Sequence, residues 1–363
     1  MVRQDIEEHD EEKIKAIIIS TGSTKKAKKV NITYQNLIPK VKNAENEVVH
    51  TRQDIVNTAT EFFSKLYGKE PEEERYRLPK REHEEQFPPV IESEIKNILG
   101  DLKVDKATGI DRIENKILKK FEEELTPFLT ALFNAIIAAE RIPEQWKISE
   151  IILLFKKGDK AEINNYRSIS LTSNLCKIFS KFIKNRIYNQ LDFSQSPEQA
   201  GFRKGRSTSD QIFIINQLIE KTNEYNVPLN LLLIDFQKAF DSVYLSFLWK
   251  ALHRQGIQGK VINILKELYR NSEGRVKLDT VGRKFKINRG VKQGDPLSPN
   301  LFNSILEEIF WEIGWEEKGI KINGKWLSNL RFADDVVLIS QKEKNCKRWS
   351  TSSARKAKRQ VWK

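Results

Sequence analysis

Residues 330–340 read LRFADDVVLIS, setting two adjacent acids, Asp334 and Asp335, between two apolar runs of the kind that form strands. Side chains alternate faces along a strand, so an ordinary hairpin leaves one acid in water and the other in the turn. If the turn instead brings both carboxylates within about 4 Å, repulsion costs roughly 1 kcal/mol in water and roughly 4 kcal/mol at an effective dielectric near 20. A bound cation reverses that sign. Asp-Asp in a turn is a weak signal alone, and the rest of the chain decides between the two.

The chain has 363 residues, 39% of them hydrophobic, enough for two to three packed units. No apolar run approaches the roughly 18 residues of a membrane span, and the N-terminus MVRQDIEEHDEEKIK lacks the apolar stretch of a signal peptide. The expectation is an intracellular protein, nuclear and/or cytoplasmic, without a membrane partner. Two distant cysteines, Cys176 and Cys346, and four scattered histidines argue against zinc and disulfides. The net charge of +13 points to a polyanionic partner, but residues 342–363 hold nine Lys or Arg against one acid and so carry most of it. Solvated lysine faces are the alternative.

Residues 1–90 are highly charged, with Ile55, Ala59, Phe62, Phe63 and Leu66 at helical spacing and a Pro-containing linker over 70–89. Helices are predicted near 93–102, 123–143 and the second half of 165–191, and a buried strand in SEIILLFKKGD, 149–159. LNLLLIDF, 229–236, is a continuous apolar strand ending in an acid; 274–291 reads as a hairpin, and Asn323-Gly324 as a tight hairpin turn. In SPNLFNSILEEIFWEIG, 298–314, Ser298 is the expected N-cap, with Leu301, Phe302, Ile305, Leu306, Ile309, Phe310 and Ile313 on one face. This order predicts an α+β fold, an antiparallel sheet with helices on one face.

Asp235 ends the run LLLI, where an Asp either caps a helix starting near Gln237 or acts as a catalytic acid. With Asp334 and Asp335 it makes three carboxylates at strand ends, the hard oxygen donors that suit Mg²⁺. Two such ions about 3.5–4 Å apart support in-line phosphoryl displacement. Lys156, Lys157 and Arg167 are candidate phosphate holders, though exposed bases in turns are commonly just solvated. In GVKQGDPLSP, 290–299, two glycines permit close backbone approach and Gln293 can hydrogen-bond a base or sugar. A tight turn into a capped helix explains that stretch except for Gln293.

LLLIDFQKAFDSV, GVKQGDPLSPNLFN and LRFADDVVLIS, in that order, resemble motifs A, B and C of a reverse transcriptase of the non-LTR, LINE-type retrotransposon class. Upstream, KATGIDRIENKIL, SEIILLFKKGD, NNYRSISL and EQAGFRKGRSTSDQI resemble that family's finger segments, so the likeness covers roughly 90–341. Thr108 and Ser168 stand where the family has Pro. The resemblance implies a right-hand polymerase with fingers over 91–230, a palm over 231–341 and a charged extension over 1–90. It implies an RNA-directed DNA polymerase that uses two Mg²⁺ ions, or Mn²⁺, an RNA template, a DNA primer and deoxynucleoside triphosphates. Asp235, Asp334 and Asp335 become the metal-binding triad, with the Phe236 carbonyl as a further ligand. Phe240 becomes the steric gate against a 2′-hydroxyl, where a core aromatic is the plainer alternative. Lys156 and Arg167 would hold the triphosphate, while Gln293 and Gly294 would line the nucleotide pocket. Beyond Ser340 the resemblance stops: 342–363 is read as an aberrant basic tail from a frameshift or splice near 343–347, with the thumb absent, which aligning the coding DNA in all frames tests. The rival functions are a catalytically inactive nucleic-acid-binding remnant of a retroelement and another palm-type phosphotransferase such as a nucleotidyl cyclase.

Overall fold

The computed structural model describes residues 38–68, 76, 79, 87–313, 315, 318–342 and 345. The charged stretch before residue 38, most of the expected linker and nearly all of the expected basic tail lie outside the described residues. The chain forms two compact units, each assembled from segments far apart in sequence.

The smaller unit draws its described residues from 38–62, Ile152–Ser168 and Val276–Arg283. It opens with a hairpin of β1 (Val41–Lys42) and β2 (Val48–Val49). Asn43 shapes the turn because its side-chain oxygen accepts the N–H groups of Glu45 (3.1 Å) and Glu47 (2.8 Å). Helix α1 (Arg52–Gly68) then contributes 52–62 here and 63–68 to the larger unit. Ile55 and Ala59 are buried, as the helical spacing predicts, and Val56 is buried with them. Strands β3 (Ile148–Phe155) and β4 (Tyr166–Leu171) likewise divide between the units, and the Lys156 N–H donates to the Asn165 carbonyl at 3.0 Å.

The larger unit begins with helices α2 (Glu92–Gly100), α3 (Asn115–Lys120) and α4 (Glu122–Ala139), followed after β4 by α5 (Asn174–Phe193) and α6 (Thr208–Glu224). Helix α2 starts without Ser93 as cap: the Glu94 carboxylate accepts the Ile91 N–H at 3.2 Å. Phe133 of α4 meets Phe179 of α5 edge-to-face at 5.0 Å and 78°, beside Trp146 and Phe182, all buried. Such rings bury large apolar area and add about 0.5–1.5 kcal/mol per favourable pair. Next come β5 (Asn230–Ile234), α7 (Leu245–Arg254) and α8 (Gly259–Tyr269), then the expected hairpin of β6 (Glu273–Val276) and β7 (Phe285–Lys286). Helix α9 (Ser298–Trp311) precedes the hairpin of β8 (Ile320–Ile322) and β9 (Lys325–Leu327). Asn323 and Gly324 both take positive φ, 46° and 82°, as this tight turn requires. Strands β10 (Asn329–Phe332) and β11 (Asp335–Ser340) close the fold, and a three-stranded antiparallel sheet runs β10-β11-β5. No helix among the described residues is long and apolar enough to cross a membrane.

Two features of α9 depart from its expected form. Its N-cap is Leu297 rather than Ser298, because the Asp295 side chain reaches forward to accept the Leu297 N–H at 2.9 Å and leaves Ser298 as the first helical residue. Its polar positions are also buried, so the helix is enclosed all round. Glu307 pairs with Arg331 of β10 at 3.1 Å, both side chains no more than 2% exposed, and the Arg331 guanidinium stacks 4.4 Å from the Phe310 ring centre. Glu308, fully enclosed, pairs with Arg254 of α7.

Removing one partner of a buried ion pair strands the other charge in a low-dielectric interior. Glu307→Leu alone is therefore expected to destabilise the fold by about 3–5 kcal/mol, and Glu307→Leu with Arg331→Met to recover most of that loss. Urea unfolding midpoints of the two variants decide it, and equal midpoints would contradict the pairing.

Candidate active site

Strand pairing brings the three acids to one end of the sheet. β11 runs antiparallel to β5 and the pairing ends with Val336 opposite Ile234, so Asp235 and Asp335 are the residues next to that last pair, at the same end of the sheet. On its other side β11 pairs with β10, Phe332 opposite Asp335, leaving Ala333 and Asp334 as a two-residue turn. Ala333 adopts φ 56°, a left-handed conformation unusual for a residue with a side chain. Asp235 and Asp335 are exposed and Asp334 is half-buried. Among the described residues, no three His, Cys, Asp or Glu side chains converge as a metal-ligand group. Backbone pairing thus holds the carboxylates at one end of the sheet, while mutual repulsion opposes their convergence. Three carboxylates and the Phe236 carbonyl form a hard-oxygen donor set that fits Mg²⁺ chemically.

Asp235 is followed by a turn and a single 3-10 turn at Phe240–Ser242, and no helix begins near Gln237 for it to cap. This turn is stitched to the segment containing Gln293. The Val291 N–H donates to the Phe240 carbonyl at 2.8 Å and the Gly290 N–H to the Val243 carbonyl at 2.7 Å. Gly290 has φ 90°, and a Cβ there would sit 2.8 Å from the Asp241 carbonyl oxygen, so the close approach requires glycine. Phe240 is half-buried: its ring stacks on Phe302 of α9 at 4.3 Å and 15°, and meets Phe202 edge-on at 6.0 Å.

Gln293 is held at both ends. Its carbonyl accepts the Ser170 N–H at 2.8 Å, and its side-chain Nε2 donates to Asp241 Oδ1 at 3.3 Å. The Tyr67 hydroxyl of α1 donates to the same oxygen at 2.6 Å, and Asp241 is 2% exposed. Gly294, at φ 106°, lies against the Ser170 carbonyl. Behind this segment, burial holds the Asp295 carboxyl above the usual carboxylate range and the Lys292 ammonium below the usual lysine range. Burial likewise lowers Lys238, whose ammonium lies 5.7 Å from the Phe63 ring centre while Asp241 opposes the shift. Lys156 and Arg167 are exposed residues of the smaller unit, at the end of β3 and in β4.

Tyr67 and Asp241 were not among the residues singled out from sequence. Asp241 lies in AFDSV beside Phe240, but its partner is 174 positions away and leaves no local signal.

Residues 155–361, more than half the chain, match the family model for reverse transcriptase (RNA-dependent DNA polymerase), and the chain belongs to that family. The match runs into the basic segment after residue 341. The chain is 27% identical over 299 residues to an uncharacterized 149 kDa protein of transposon TX1 from Xenopus laevis, covering 79% of this chain and 23% of that protein. It is 27% identical to the Pol polyprotein of the type-1 retrotransposable element R2 from Nasonia vitripennis, covering 70% and 24% respectively. It is 29% identical to the RNA-directed DNA polymerase of the mobile element jockey from Drosophila melanogaster, covering 60% and 24%. The resemblance to LINE-type reverse transcriptases is thus borne out, and the chain spans about a quarter of the length of these curated relatives. Among solved structures, apo telomerase from Candida tropicalis aligns with a TM-score of 0.45 at 14% identity, covering 66% of this chain and 48% of that one.

Hydrogen bonds to charged groups contribute about 1.5–3 kcal/mol each. Tyr67→Phe, which removes only the hydroxyl given to Asp241, is expected to lower stability by about that amount in urea unfolding. An unchanged midpoint would place Asp241 outside Tyr67's control.

Proposed function

We propose that this chain is the polymerase portion of a LINE-type retroelement protein and adds deoxynucleotides to a DNA primer on an RNA template. The observation that carries this is the register of β5 and β11, whose last pair, Ile234 with Val336, brings Asp235 and Asp335 to one end of the sheet with Asp334 in the adjoining turn. In the reaction the primer 3′-hydroxyl attacks the α-phosphate of a deoxynucleoside triphosphate, forming the new ester bond as the bond to pyrophosphate breaks. Asp235, Asp334, Asp335 and the Phe236 carbonyl would hold two Mg²⁺ ions, or Mn²⁺, whose chemistry when bound is activation of the hydroxyl and neutralisation of charge on the phosphates.

The other roles belong to the chain's own groups. The Phe240 ring, backed by Phe302, would exclude a 2′-hydroxyl and so select deoxynucleotides. Gln293, its amide oriented by Asp241, and Gly294, with no side chain, line the nucleotide pocket. Lys156 and Arg167 hold the triphosphate, the guanidinium through its paired donors. Residues 91–230 serve as fingers and 231–341 as palm, with helices on one face of the palm sheet. Template and primer are gripped through phosphates and A-form shape, which makes affinity salt-sensitive. Substrates of this kind place the work inside the cell, in the nucleus and/or cytoplasm.

Primer extension on an RNA template tests the assignment. Asp334→Ala with Asp335→Ala is expected to cut incorporation by at least about a thousandfold, since metal-assisted charge stabilisation is worth several kcal/mol. Equal incorporation by wild type and variant would sink the polymerase assignment. No incorporation by either, with RNA binding retained, would favour the inactive binding remnant. Phe240→Ala is expected to raise ribonucleotide use relative to deoxynucleotide by about tenfold or more in the same assay.

A further inference from the structure

The segment EQAGF, 198–202, lies along the outer edge of β10. The Arg331 N–H donates to the Glu198 carbonyl at 2.9 Å and the Ala200 N–H to the Arg331 carbonyl at 2.8 Å, a parallel bridge of Gln199 with Arg331. That ladder cannot continue past Phe332, because Ala333 turns the chain at φ 56°. The Gln199 side chain takes over where the backbone leaves off. Its Oε1 accepts the Ala333 N–H at 3.0 Å and the Gly201 N–H at 2.8 Å, and its Nε2 lies 3.5 Å from the Ala333 carbonyl oxygen. Gln199 is wholly enclosed, so water does not compete for these bonds. Gly201 presses on the same turn closely enough that a Cβ would overlap the Ala333 nitrogen, and its carbonyl is fixed by Asn303 Nδ2 of α9 at 2.7 Å.

The residue so held, Ala333, is the one immediately before Asp334. A left-handed alanine is a strained conformation that persists only where its surroundings dictate it. Here a single amide satisfies the alanine N–H from within the core. We propose that Gln199 is a positioning residue for the reaction: by clamping Ala333 it sets the direction in which Asp334 leaves the turn relative to Asp235 and Asp335. This rests on the acids being the metal-holding set of a polymerase. Gln199 touches neither substrate nor metal and acts only through the turn.

Three variants of the full chain test it. Gln199→Met keeps the volume and removes the acceptor; Gln199→Glu keeps an oxygen acceptor for both N–H groups; Leu129→Ala is a core control in α4, a helix that bears no candidate site residue. Hydrogen exchange of the Ala333 amide, Mn²⁺ binding by calorimetry, and kcat and KM for deoxynucleotide in primer extension are measured for each. The Met variant is expected to lose Ala333 protection, bind Mn²⁺ more weakly and drop kcat by up to about a hundredfold, the scale for a misplacement near 1 Å, with KM nearly unchanged. The Glu variant is expected to regain protection and part of kcat, and Leu129→Ala to lower the melting temperature while leaving kcat and Mn²⁺ binding as in wild type. An active wild type with kcat and Mn²⁺ affinity unchanged in the Met variant, or equal loss in the Met and Glu variants, would overturn the positioning role alone. A wild type that neither extends primers nor binds Mn²⁺ would overturn the functional assignment beneath it.

Discussion

Val336 pairs with Ile234 across two antiparallel strands, and the candidate site depends on that rung. A slip of one residue would turn every side chain of β11 to the opposite face of the sheet. It would also move Asp335 away from Asp235. The register is protected by the apolar residues it buries: Val336, Leu338 and Ile339 are nearly or fully enclosed. The same packing that stabilises the sheet therefore fixes where the acids emerge.

Around this rung the interior is unusually polar. Arg331 beneath the turn is matched by Glu307, Asp241 by Tyr67 and Gln293, and the Ala333 amide by Gln199. Tyr67 and Gln199 lie on segments that bear no candidate site residue, yet each fixes a segment that does. Buried polar groups are costly unless satisfied, so each of these groups has strong reason to keep its partner and hence its place. Polar side chains held this way fix direction as well as distance, which apolar packing alone does not.

Much of this was legible in the order of residues. The strand ending at Asp235, the hairpin about Asn323-Gly324 and the apolar face of α9 follow from local periodicity and turn chemistry, and the structure has all three. The family likeness was legible too, since motifs A, B and C stand in sequence as short uninterrupted stretches. What was not legible depends on distant partners. The start of α9 moved because Asp295 outcompeted Ser298 as the capping group, and the burial of Glu307 and Glu308 follows from arginines on other elements. Tyr67 and Gln199 carry no local pattern that marks them, for their roles exist only once α1 and the EQAGF segment have reached the site. Gln293 sits between these cases: its glycine-flanked setting drew notice, while the bond that orients it did not.

The central claim is that strand pairing gathers Asp235, Asp334 and Asp335 into one metal-holding group. Anomalous diffraction from crystals of the chain with primer-template and Mn²⁺ tests it most directly. The account predicts anomalous peaks within about 2.0–2.3 Å of oxygens from Asp235 and at least one of Asp334 and Asp335. Mn²⁺ bound at other carboxylates, with these three left in water, would contradict it.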